Sequence, residues 1–363
     1  MKKIYLTGLA VLSLSIAYAQ TNTATLTQSG AENIATIDQG NSGNTASVGQ
    51  TGDRNNSTVN QQNAALNSAI IIQTQNDNTA LINQESASNN TATIGQNGNN
   101  NAATIDQAGE INNVAFISQA GDDNTASILQ DGESNLASFL QSGNNNIGSI
   151  NQSLSAGNQA NASQIGDRNN ATINQTDYSA SNVGTITQLG SDNFALIDQS
   201  GISVFNTALI NQDGAGNNAT ISQTGLSAYN DAAITQAGSG NSALISQSLL
   251  SGLNLATINQ IGIGNDAAIT QVGLSGENEA TIVQNGNNNE ANILQSLGQN
   301  NEASIQQNGN NNFAGIEQNG NNNLLNLVQN GDGGNLSITQ TGGMTLNIGI
   351  SGTNNGITIV QTP

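Results

Sequence analysis

Cysteine, histidine and tryptophan are absent from this sequence. Without cysteine there is no disulfide framework and no thiolate metal site. Proline occurs once, at position 363. Because proline breaks β ladders, its absence from the body of the chain fits uninterrupted strand pairing. Aromatic residues make up 2% of the chain and charged residues 8%. Beyond Tyr5 and Tyr18 the aromatics are Tyr178, Tyr229 and the phenylalanines, too few to fill a conventional core of large side chains. Past residue 19 the only basic side chains are Arg54 and Arg168, against 24 acids, a net charge of −22. Such a chain is a poor partner for nucleic acid, which is held through cationic contacts to phosphate.

Residues 1–19 differ from the rest. Lys2 and Lys3 precede an apolar run from Leu9 to Ile16, and Ala17-Tyr18-Ala19 has the small-x-small form of a cleavage site. This reads as a secretory signal peptide, with a mature chain starting at Gln20. The apolar run is well short of the roughly 20 residues needed to span a bilayer, so no membrane span is expected in the mature chain.

From Asn22 to Gln340 one phrase recurs, Asn-x-Ala-x-Ile-x-Gln, as in Asn33-Ile-Ala35-Thr-Ile37-Asp-Gln39 and Asn124-Thr-Ala126-Ser-Ile128-Leu-Gln130. The four fixed residues fall on every second position, so on a β-strand they share one face. The closing glutamines are spaced by 11, 12 or 13 residues, and every other step, starting with Gln28 to Gln39, is 11. The repeating unit is therefore two strands with two different turns, about 22–24 residues in all. In the fixed turn, glycine stands two residues after the glutamine in thirteen of fourteen cases, including Gly30, Gly52, Gly98, Gly121, Gly143 and Gly166, with Gln75 the exception. Glycine accepts the positive φ that a tight reversal needs. The other turn has glycine there in seven of fourteen cases and takes all the insertions, so it is expected to be the looser edge. A disordered Gln/Asn-rich segment would need neither the register nor the confinement of insertions to one turn.

Turns this short leave no room for a crossover helix. The expected fold is all-β, a two-sided β-solenoid of parallel, in-register strand-turn-strand rungs, each about 4.8 Å above the last. A flat meander of antiparallel hairpins would not use the identity of the repeated side chains. Ala and Ile meet between the two sheets, flanked by Asn and Gln. A buried amide without partners costs about 1–3 kcal/mol per unsatisfied group, and stacking each amide on its copies above and below removes that cost. Substitutions at inward positions are conservative in shape or rare (among them Ser57, Gly148 and Gly184 for Ala; Ala162 and Phe139 for Ile), and no acid is placed there. About fifteen such rungs give a rod about 70 Å long. Residues 20–340 make the solenoid, and 341–363 hold degenerate repeats. The first phrase starts at Asn22 with no capping helix expected before it, so its rung is expected to present an unpaired edge.

The phrase Gln-x-Gly-x-x-Asn-x-Ala-x-x-x-Gln resembles the curlin repeat of curli fibre subunits. Gln28-Ser-Gly30-Ala-Glu-Asn33-Ile-Ala35-Thr-Ile-Asp-Gln39 and Gln164-Ile-Gly166-Asp-Arg-Asn169-Asn-Ala171-Thr-Ile-Asn-Gln175 match it throughout. The resemblance implies a secreted functional amyloid that assembles head-to-tail into extracellular, cell-surface fibres of a biofilm matrix and serves adhesion. It implies the chain itself as main partner, together with a nucleator subunit and a dedicated secretion channel. The residues expected to stack between molecules are those of the terminal rungs: Asn22, Gln28, Asn33 and Gln39 at one end, Asn323, Gln329, Gln340 and Gln361 at the other. The sequence departs from the family in having many more repeats, no separate targeting segment between Gln20 and Asn22, and Asn-led phrases in both strands of a rung. A non-polymerising repeat adhesin, or a nucleator of such fibres, is the alternative.

No catalytic residue, cofactor or metal ligand is indicated. An enzyme built on a β-solenoid would need convergent bases and cations, which two arginines and no histidine do not supply. The acids do not recur at one place in each turn, so calcium-binding repeats are not indicated. The row Thr23, Thr25, Thr27 is followed by Ile34, Thr36, Asp38, so no flat threonine array of an ice-binding face persists.

Overall fold

The computed structural model describes residues 9–13, 21–109, 111–274 and 276–362. Every regular element among them is a β-strand. The chain divides into two units, residues 1–176 and 177–363, and each is a two-sided parallel β-solenoid.

In the first unit, seven strands from Thr23–Ser29 to Gln159–Ile165 form one sheet and seven from Ile34–Gln39 to Asn170–Asn174 form the other. These are called here the Gln28 sheet and the Gln39 sheet, after the glutamines that close their first strands. Successive strands of the chain alternate between the sheets, so each strand pairs with the one a full turn away. Pairing is parallel and keeps the phrase in step, with Ala24 beside Ala46 and Gln28 beside Gln50, and Ala35 beside Ser57 and Gln39 beside Gln61. Five residues of the N-terminal apolar run, Leu9–Ser13, also form a strand, parallel to Ile34–Gln39 at the edge of the Gln39 sheet. The rest of the expected signal peptide lies outside the described residues.

The second unit has eight strands in each sheet, from Val183–Ser191 to Thr345–Ser351 and from Phe194–Asp198 to Gly356–Gln361. The same two sheet names are used for it. The degenerate repeats after Gln340 keep the fold: Leu324–Asn330 pairs with Thr345–Ser351, and Asn335–Thr341 with Gly356–Gln361.

The period-2 pattern decides what is buried. Ala103 and Ile105 are 3% and 0% exposed, while Ala102, Thr104 and Asp106 between them are half-buried on the outer face. No acid is among the buried side chains of the described residues. Burying one Ile side chain contributes about 1.5–3 kcal/mol, and most strands of a solenoid add one. Three inward substitutions form one packing event. Phe139 is fully buried, its register partner is Ala162, and a Cβ placed on Gly148 in the facing sheet would overlap the Phe139 ring. A large residue has been fitted by shrinking two neighbours. Ser57, in an Ala position, is satisfied by the opposite sheet: its hydroxyl donates to Gln73 Oε1 at 2.7 Å.

The variable turns are more ordered than their lengths imply. In the second unit the long turns stack on one another as a narrow third face. Ser203–Val204 pairs in parallel with Ser227–Ala228, and bridges continue from Ala228 to Gly252 and Gly276. Ser203, Ser227 and Ser251 are buried there. In the first unit a change in turn length is absorbed by a bulge: pairing passes from Asp131–Ser153 to Gly132–Ser155, and the skipped Leu154 points outward, 54% exposed. The edge thus tolerates a change in length by stacking like-length turns or by extruding one residue. Extra length after Gln247, inside the stack, would disturb its buried serines.

The compensation around Phe139 gives a stability test. Gly148→Ala should lower stability by about 1–3 kcal/mol through overpacking. Adding Phe139→Ile should recover most of that loss, a coupling that a double-mutant cycle by thermal or denaturant unfolding measures directly.

Candidate functional site

The repeated feature with chemical specificity is the set of buried amides. In the first unit the Nε2 of each closing glutamine donates to the Oε1 of the next. The series Gln28–Gln50–Gln73–Gln96–Gln119 runs at 2.7, 2.9, 2.8 and 2.9 Å. Gln39–Gln61–Gln84–Gln107–Gln130 runs at 2.8 Å throughout. In the second unit Gln188–Gln212–Gln236–Gln260–Gln284 repeats the arrangement at 2.8–2.9 Å. The second Nε2 proton crosses to the other sheet, as from Gln50 to the Ile34 carbonyl at 3.0 Å and from Gln96 to the Thr79 carbonyl at 3.0 Å. Each interior glutamine therefore spends both donor protons and accepts from its predecessor, which is how an amide is buried without penalty.

The asparagines also stack amide on amide, Asn101 Nδ2 to Asn78 Oδ1 and Asn124 Nδ2 to Asn101 Oδ1 at 3.1 Å, and they bond the main chain as well. Oδ1 of Asn33 accepts the backbone N–H of Asn55 at 2.9 Å, Oδ1 of Asn78 that of Asn101 at 3.0 Å, and Oδ1 of Asn101 that of Asn124 at 3.0 Å. Nδ2 donates to a turn carbonyl of the next rung: Asn33 to Gly52, Asn78 to Gly98, Asn101 to Gly121 and Asn124 to Gly143, all at 2.7 Å. These asparagines thus tie main chain to main chain across a rung, whereas the buried Nδ2 of Asn301 has no partner among the described residues. This gives the turn glycine a second role. Gly121 has φ +108°, and a Cβ there would overlap the Gly143 carbonyl oxygen. Gly30, Gly52, Gly98, Gly143 and Gly166 likewise have φ between 114° and 139°. The residue serves both a left-handed turn and the close stacking of its carbonyl on the next rung.

A family model for the curlin associated repeat matches residues 21–52, 75–109, 87–121, 98–130, 121–153, 276–307 and 298–331. The chain belongs to the curlin-repeat family. Among curated proteins no match is found. Gln, Gly and Asn, the polar residues of the curlin phrase, are the ones that bond rung to rung here, so motif and geometry coincide.

Of the residues expected to stack between molecules, Asn22, Gln28 and Gln39 lie half-buried in the first turn of the curlin repeats and Asn33 is buried. Their interior counterparts Gln50 and Gln61 are 1% and 0% exposed. At the other end Asn323, Gln329 and Gln340 are buried in the penultimate turn, covered by Thr345–Ser351 and Gly356–Gln361. Gln340 donates to Gln361 at 3.2 Å, so the Gln39 sheet carries its ladder to the last strand. In the Gln28 sheet Gln329 faces Ile350 instead.

Two further ladders escaped the reading of the phrase. In the fixed turns an Asp or Asn just after the glycine, or after Gln75 in its place, accepts the backbone N–H of the turn before: Asp53 from Ala31, Asn76 from Asp53, Asn99 from Asn76 and Asp122 from Asn99. On the outer face Asn60 donates to Asn83 and Asn83 to Asp106, both at 3.0 Å. The first could have been seen by comparing the residue after each turn glycine. The second lies on a face where residues vary. Burial raises the Asp106 carboxyl above the ordinary aspartate value; the Asn83 amide partly offsets this, and Glu85 and Asp131 add to the rise. Arg54 grips Asp77 of the next fixed turn at 2.7 and 2.6 Å and lowers its pKa; both are exposed enough for solvent to screen them.

Two measurements follow from these ladders. Gln307→Leu orphans the Nε2 donor of Gln284 and the Oε1 acceptor of Gln329 and removes the bond to the Glu290 carbonyl, and should cost about 1–3 kcal/mol for each group left unsatisfied. Gln306→Leu, one residue away on the exposed face, should change stability little. For Asp106, a raised folded pKa means that stability is fully present below the ordinary value of 3.8 and is lost as pH rises through the raised one. Asp106→Asn should therefore melt higher than the parent at neutral pH, with the advantage vanishing in acid below that value.

Proposed function

We propose that this curlin-repeat chain is a secreted, curli-like amyloid subunit that assembles head-to-tail into extracellular fibres at the cell surface, for biofilm matrix and adhesion. The family and the fold are those of a structural protein, and the repeats are those of a curli-type fibre subunit. The observation that carries the reading is the in-register amide ladder. Each rung needs a copy above and below, and the half-buried Gln28 and Gln39 of the first turn offer that demand to a second molecule. Removal of the apolar leader, including Leu9–Ser13, would add the backbone edge of Ile34–Gln39 to the offered surface. A secretion channel and a nucleator would be further partners.

A nucleator is the second reading, and it draws on the C-terminal turn. There Ile350 takes the place of a closing glutamine and Met344 that of an asparagine, and one turn earlier Gly334 also stands for an asparagine. An end that does not continue every ladder suits a chain that starts fibres rather than one that fills them.

Sedimentation and thioflavin binding of the chain from residue 20 onward test the proposal. Fibres that form promptly, are accelerated by their own fragments and diffract at about 4.7–4.8 Å along the axis are expected. A stable soluble monomer would sink it. Growth that begins from this chain but is carried on only by another curlin-repeat subunit would favour the nucleator.

A further inference from the structure

The long variable turns of the second unit carry an apolar stripe that nothing in the ladder chemistry requires. Ile202, Leu226, Leu249, Leu250, Leu274 and Leu297 line a groove of about 580 Å³ along five successive turns. Each of the six is more than half exposed, from 51% at Leu226 to 65% at Leu274 and Leu297. Beside the groove Phe205 and Tyr229 stack face to face, with ring centroids 5.0 Å apart and planes 11° from parallel. Both are also more than half exposed. Exposed apolar surface gathered in one strip marks an interaction site far more often than scattered residues do.

We propose that this stripe is a lateral interface that joins the chain to a second copy of itself, edge to edge. The inference rests on the fibre reading, and it names the surface by which the solenoids associate sideways.

Charge argues for a second copy. The turns 199–206, 223–230, 247–254 and 295–301 contain no charged residue, and the turn between them, 271–278, has Glu277 alone. The strand faces of the same unit are acidic. Asp266 is in register with Glu290, and Glu279 with Glu302; all four are exposed. Two chains of net charge −20 repel each other through those faces and meet without repulsion along this edge. A cationic partner would find a single acid, Glu277, in the five turns to hold it.

Spacing argues the same way. The stripe repeats at the rung distance, about 4.8 Å, so its knobs and hollows match a surface of the same repeat, as in dry interfaces between cross-β sheets. It is also rigid before any partner arrives. Backbone bonds from Tyr229 to Val204 and from Leu253 to Ala228, both 3.1 Å, fix one turn on the next. Closed pairs of identical chains are two-fold symmetric. Whether the axis runs along the solenoid or across it, superposing a five-turn stripe on itself brings its middle turn, with Leu250, against its own copy.

The absence of cysteine makes this directly testable. The full chain carrying Leu250→Cys should give disulfide-linked dimers on mild oxidation, seen on a non-reducing gel. Ile263→Cys, 57% exposed on the fixed-turn edge, should not. Replacing Leu226, Leu250 and Leu274 by Ser should yield fibres of half the mass per length with unchanged elongation. The gel separates this proposal from the fibre reading: cross-linked dimers in a chain that forms no fibre would uphold the lateral interface alone. Equal cross-linking at both cysteines, or paired fibres in the triple variant, would overturn it. So would absent cross-linking with the Leu250→Cys thiol shielded from alkylation by phosphatidylcholine vesicles, which would make the stripe a lipid contact.

Discussion

A side-chain amide inside this protein has no water to bond with, and that one constraint organises the rest. Burying it without partners costs on the order of the whole packing gain of an aliphatic side chain. The partners must come from the turns before and after, because the neighbours within a rung are Ala and Ile. Strand pairing therefore has to be parallel and in register, and the turn lengths have to return the chain to the same phase. The alternation of Ala and Ile fills the space between the sheets, but a slip by one residue would turn every amide to the wrong face.

The two amide types divide the labour. Glutamine bonds to glutamine along the ladder and to the opposite sheet across it, holding the two sheets together (Gln50 to Gln73 and to Ile34). Asparagine joins the start of one strand to the turn and strand start of the next rung (Asn101 to Gly121 and Asn124). One side chain locks register along the strands, the other locks the turns. A sequence can vary freely on the outer face and still keep both, which is why insertions, acids and the apolar stripe are found at the edges and outer surface.

Most of the fold was legible because the phrase is periodic and its alternation states which face is inward. The parallel pairing, the two kinds of turn and the exclusion of acids from the interior all follow from counting. What could not be read was chemistry that depends on alignment from the other side of the turn. Measured back from the asparagine, both turn types share a small residue three places earlier: Gly52, Gly98 and Gly121 in one, Ala64, Ser203 and Ser227 in the other. Its carbonyl receives the amide of the preceding rung. Measured forward from the glutamine, half of these positions fall out of step, so the variable edge looked looser than it is. The Phe139–Gly148–Ala162 group was also hidden, since three scattered substitutions become one event only when the facing sheet is in place. Near the C-terminus Asn323, Gln329 and Gln340 lie one turn in from the end and Gln361 in the last strand, because the last strands keep the fold while dropping the phrase.

The most direct test is a side-chain correlation in the assembled state. Solid-state NMR of uniformly labelled fibres should show transfer from the glutamine Nε2 to the Cδ of the residue a full turn away, such as Gln107 to Gln130. Correlations confined to strands adjacent in sequence, as antiparallel hairpins would give, would contradict the account.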